Sequence, residues 1–103
     1  VNTSIRDGEV WVVHNRIEFP TRICRTHARR LAKELRHAIG RDPKTIRHAW
    51  QTEHGPARFQ ATMSKHDPWP VLTFHDSITI RPTHVELMHF VEKLDDHAHG
   101  RTR

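Results

Sequence analysis

The chain has 103 residues, 35% of them apolar and 28% charged, with a formal net charge of +5. That length supports one modest core and not two, and the apolar content is above that of a disordered chain. The single cysteine, Cys24, excludes an internal disulfide, and no apolar run approaches the roughly 18 residues of a membrane-spanning helix.

Charge is unevenly placed. Residues 1–50 hold eleven Lys or Arg against five Asp or Glu, a net of +6, whereas residues 51–103 hold six against seven, a net of −1. Val1 to Gly8 is short and polar, unlike a secretory leader, and reads as a flexible N-terminus over residues 1–8. Together with the lone thiol this points to the cytoplasm. Val10 to Val13 is a β-type run and Arg16-Ile17-Glu18-Phe19 alternates in period two. The two make either a hairpin across His14-Asn15 or one bent strand from Glu9 to Phe19.

Pro20-Thr21 opens a helix expected over Arg22 to Ile39, with Thr21 as N-cap, Gly40 as the C-terminal stop and Asp42-Pro43 forbidding continuation. Arg22, Arg25, Arg29, Lys33 and Arg36 recur at spacings of three and four, a stripe about 80° wide at 100° per residue, with Arg30 beside it. Ile23, Leu31, Leu35, Ala38 and Ile39 fall on the opposite side, bordered by Cys24, Ala28 and Ala32. Such a helix docks one face on a core and turns a row of fixed positive charge outward, where polyphosphate is the commonest partner. Arg41, Lys44 and Arg47 extend the positive region. The competing reading of the stripe is an ordinary solvated face.

Ile46 to Glu53 reads as a strand and His54-Gly55-Pro56 as a turn. Ala57, Phe59, Ala61 and Met63 then alternate with Arg58, Gln60 and Thr62, a half-buried strand. Asp67-Pro68-Trp69-Pro70 reads as a loop. Leu72, Phe74, Ile78 and Ile80 keep one parity around His75-Asp76-Ser77, as a hairpin or one bulged strand. Thr83 with Glu86 forms a capping box for a second helix lined by Leu87, Met88, Val91 and Leu94, with Phe90 at its edge, ending at Asp95-Asp96-His97. Residues 9–97 thus form a single α+β domain and residues 98–103 a disordered tail. The economical arrangement is two-layered, with two helices on one face of a mainly antiparallel sheet of three to five strands. The other face, carrying Arg58, Gln60, Thr62, Thr73, Thr79 and Arg81, is expected to be wet.

The order helix, three strands, helix from Thr21 to His97 resembles that of a double-stranded-RNA-binding domain. The second helix, however, opens Pro82-Thr83-His84-Val85-Glu86 and lacks that family's lysines, so the likeness is one of element order and not of membership.

Other chemistry finds weaker support. Cys24 and His27 sit three apart and His97-x-His99 is a chelating pair, but a zinc site needs three or four convergent ligands. Cys24 reads as a small buried residue and His27 as a core or boundary histidine. His66-Asp67 and His75-Asp76 point to opposite sides of a strand, and no nucleophile elbow or phosphate-cradling glycine loop occurs. The expectation is a small non-enzymatic protein without cofactor or metal, binding nucleic acid, DNA or RNA, through the basic helix face. The alternative is a regulator, of the kind carried by phages and mobile elements, that docks on an acidic protein surface with Trp69 as an aromatic anchor.

Overall fold

The computed structural model describes residues 2–14, 16–39, 44–64 and 67–100. The fold is α+β, with seven strands and two helices among these residues. Strands β1 (Asn2–Arg6), β2 (Glu9–His14) and β3 (Ile17–Pro20) form an antiparallel meander. Helix α1 (Arg25–Ala38) follows. Strands β4 (Lys44–Thr52), β5 (Gly55–Ser64), β6 (Asp67–Phe74) and β7 (Ile78–Ile80) then form a second antiparallel sheet in sequence order, and helix α2 (His84–Ala98) comes last.

The single sheet expected from the sequence is therefore two sheets. The third strand of the first sheet comes from residues read as a flexible N-terminus. Asp7 and Gly8 both take positive φ, 50° and 77°, and Arg6 pairs with Glu9 across them. A two-residue loop with both φ values positive matches the twist of its flanking strands, and Asp-Gly is among the pairs that adopt it most readily. The expected hairpin between Val10–Val13 and Arg16–Phe19 forms, with His14 opposite Ile17.

Asp67-Pro68-Trp69-Pro70 is also strand and not loop. β7 pairs only with Leu72 to Phe74 of β6, so the stretch holding both prolines lies beyond its reach, where a missing N–H breaks no ladder. His75 and Asp76, at φ 55° and 62°, turn β6 back into β7, which settles that region as a hairpin. Within the tail expected over 98–103, Ala98 ends α2 and Gly100 donates to the His97 carbonyl, while residues 101–103 lie outside those described.

The core gathers the inner faces of every layer. Val10, Val12 and Phe19 come from the first sheet, Ile46, Trp50, Phe59, Leu72 and Phe74 from the second, and Leu31, Leu35, Leu87, Phe90 and Leu94 from the helices. Phe19 meets Phe74 edge-on at 5.1 Å, and Phe74 meets Phe59 at 5.0 Å and Phe90 at 5.8 Å, so four aromatic rings join both sheets to α2. The face of the second sheet away from the helices carries Arg58, Gln60, Thr62, Thr73 and Thr79, cross-linked by Arg47 to Gln60 at 3.3 Å and Arg58 to Asp76 at 3.2 Å. It is polar and open to water, as alternation along β5 requires.

α2 begins where the sequence places it. The Thr83 hydroxyl accepts from Glu86 N–H at 3.1 Å while the Glu86 carboxylate accepts from Thr83 N–H at 2.9 Å. α1 begins three residues late. The Thr21 hydroxyl is spent on the Val10 carbonyl, Arg22 takes φ 57°, and Cys24 becomes an N-cap whose side chain makes no capping bond.

Leu35 is fully buried at the centre of the apolar face of α1. Leu35→Ala is expected to lower unfolding stability by about 2–5 kcal/mol in urea titrations, and Thr83→Ala by about 1 kcal/mol through loss of the cap.

Candidate nucleic-acid interface

Ala28, Leu31, Ala32, Leu35 and Ala38 are buried, so α1 exposes the opposite side, and Arg25, Arg29, Arg30, Lys33 and Arg36 are all exposed on it. Residues four apart on a helix rise about 6 Å, which sets the spacing from Arg25 to Arg29 to Lys33. Of the other basic residues expected in this region, Arg22 and Arg47 are placed elsewhere, and the side chains of Arg41 and Lys44 are outside those described. Arg22 lies outside the helix in a left-handed conformation. Arg41 lies outside the described residues. Lys44 opens β4, but its side chain lies outside the described set. Arg47 has the parity opposite to Ile46 and Trp50, both buried, and sits on the far face of the second sheet with Gln60. Among the described residues the row belongs to the helix alone.

Its cations differ in how they are satisfied. Arg36 pairs with Asp95 of α2. Arg29, Arg30 and Lys33 form no ion pair among the described residues. The first turn of α1 holds no acidic residue, so Arg25 at its first position faces the positive end of the helix dipole, an arrangement that an external anion would relieve.

One flank of the row carries a hydrogen-bonded chain that the sequence did not reveal. His27 Nε2 lies 3.1 Å from His48 Nδ1, and His48 Nε2 lies 2.6 Å from Glu34 Oε2. His27 and Glu34 are seven residues apart on α1, two turns along one flank, and His48 reaches both from the inner face of β4. Helical spacing could have paired His27 with Glu34, but His48 enters only through the register of a strand fourteen residues further on. His27 also rests on the Trp50 ring at 5.6 Å. His27, Arg30, Lys33, Glu34, His37 and His48 line an open cleft of about 520 Å³.

Burial holds the His27 imidazole below its ordinary range, and the neighbouring His48 and Arg30 push it the same way, against the opposing pull of Glu34. His27 is half-buried, as expected of a boundary histidine. Cys24, expected at the core border, is instead exposed, because α1 starts at Arg25 and leaves it outside the packed face. Trp69 lies in β6, and its side chain is outside the described residues. Among the described residues no three His, Cys, Asp or Glu side chains are grouped to hold a metal, and no helix is long and apolar enough to cross a membrane.

Together the fold and this surface define an α+β protein with an exposed basic helix and an imidazole-lined cleft beside it. Compared with family models, with curated proteins and with solved structures, the chain matches none.

The lowered His27 value has a consequence for stability. The folded chain takes up its proton less readily than the unfolded chain. Stability from this site is complete above the ordinary imidazole pKa of about 6.5 and is lost as pH falls through the lowered folded value. Thermal melts between about pH 7.5 and pH 5 should show a falling midpoint, and His27→Phe should flatten that part of the profile.

Proposed function

We propose that the chain binds nucleic acid through the outward face of α1, with Arg29, Arg30 and Lys33 on backbone phosphates and Arg25 and Arg36 at the margin. The carrying observation is that three exposed cations on adjacent turns have no carboxylate partner among the described residues. Glu34, the one carboxylate of α1, is hydrogen-bonded to His48 and forms no ion pair with any of the three. Neutralising phosphates releases condensed counterions, which favours a polyanion over an isolated acidic group. The contact reads the backbone and carries no base code, since base edges are read by side chains placed in a groove. The reading assigns the chain a non-catalytic role in the cytoplasm.

The test is a salt titration. With three phosphates neutralised, the logarithm of affinity for duplex DNA should fall with the logarithm of salt at a slope of about −2.7, and by about −2.1 on a single strand. Arg29→Ala should reduce the slope by about one contact. Replacing Arg29, Arg30 and Lys33 together by Ala should abolish binding while changing stability by no more than about 0.5 kcal/mol per site. Unchanged affinity in that triple variant would refute the interface. A complex with an acidic protein and none with DNA or RNA at low salt would replace it with the protein-docking alternative.

A further inference from the structure

The cleft beside the basic row offers more than positive charge. A carboxylate has no proton to give, so Glu34 must accept from His48 Nε2–H across their 2.6 Å contact. In a neutral His48 ring Nδ1 is then a lone pair, which accepts from His27 Nε2–H across 3.1 Å. With both rings neutral, both Nε2 atoms hold the protons and His27 Nδ1 is an unprotonated acceptor. It has no hydrogen-bond partner among the described residues. Arg30 and Lys33, whose charged ends only donate, line the same cleft.

A phosphodiester supplies acceptors alone and would use Arg30 and Lys33 but leave His27 Nδ1 unanswered. The group that completes the set is a hydroxyl donor attached next to a phosphate. In nucleic acid that group is the ribose 2′-hydroxyl, the feature by which a protein tells RNA from DNA at a given position.

We propose that this cleft makes the α1 interface selective for RNA, with Arg30 and Lys33 holding a phosphate and His27 Nδ1 accepting from the neighbouring 2′-hydroxyl. His48 and Glu34 act as positioning residues that fix the tautomer of His27. The inference rests on the nucleic-acid reading above and narrows it from either polymer to one. The charged and titratable groups facing His27 are His48 from β4 and Arg30 and Glu34 from α1. A proton on Nδ1 converts the acceptor into a donor, so the preference for RNA belongs to the neutral imidazole.

The experiment measures affinity of the intact chain for three single strands of one sequence, namely RNA, DNA and 2′-fluoro RNA, whose fluorine cannot donate. At about pH 7.5 RNA should bind about two- to tenfold more tightly than the other two, the size of one hydrogen bond. The gap should close in His27→Phe, which keeps a ring on Trp50 but has no nitrogen. It should also narrow in the unmutated chain as pH falls from about 7.5 and the His27 imidazole takes up its proton, a measurement that stands even if the variant does not fold. Equal affinity for all three strands at pH 7.5 would overturn the proposal while leaving the backbone interface intact, as would an RNA preference that persists undiminished in a folded His27→Phe. Failure of every strand to bind at low salt would overturn the interface and this refinement together.

Discussion

Three elements converge by hydrogen bonds on the short passage from Thr21 to Ile23. The Val10 carbonyl of β2 accepts from both the amide and the hydroxyl of Thr21, at 2.9 and 3.0 Å. The Thr21 carbonyl accepts from the Trp50 indole of β4 at 3.2 Å, and the Ile23 carbonyl accepts from the buried His97 of α2 at 3.0 Å. The passage belongs to no helix or strand, so its polar groups would be costly to bury without these partners. Satisfying them ties both sheets and the last helix to the residues where α1 begins. The direction in which the basic row faces is set there, before the first cation of α1 is reached.

Around that anchor the helix serves two opposed demands. Its inner side is packed with alanine and leucine, and its outer side holds cations, the first of them, Arg25, at the end of the dipole that repels it. A carboxylate in the first turn would ease that repulsion and would also blunt the outward field. The one carboxylate on the helix is drawn aside by His48, so the outer face keeps its charge at some expense in stability. Such local concessions are common where a surface is shaped for binding and not for folding alone.

Much of this was legible in the sequence where one periodicity acts over many residues. The apolar side of α1, the alternation from Ala57 to Met63 and the capping box at Thr83 follow from local rules that packing reinforces. The errors arose where a local signal was outweighed or missed. Asp7-Gly8 carries a strong hairpin signal that the polar character of the N-terminus obscured. Thr21 is a sound N-cap by type, but its hydroxyl found a better partner on β2. The prolines at 68 and 70 suggested a loop because their neighbours in the sheet were unknown. Arg47 lies close to the helix in sequence, but strand parity sends it to the other side of a sheet. The His27–His48–Glu34 chain depends on a helix meeting a strand, which no pattern along the chain expresses.

The prolines of β6 also bear on how the molecule behaves in company. An open sheet ends in strands whose unpaired N–H and C=O groups can template another chain, and proteins guard such edges with short strands and with proline. Here β7 is only three residues long, and the stretch of β6 that it does not reach has lost two of its amide donors to Pro68 and Pro70. A second strand arriving on that side would find little to hold. The residues that made the segment hard to recognise as a strand are thus suited to keeping the sheet from growing by self-association.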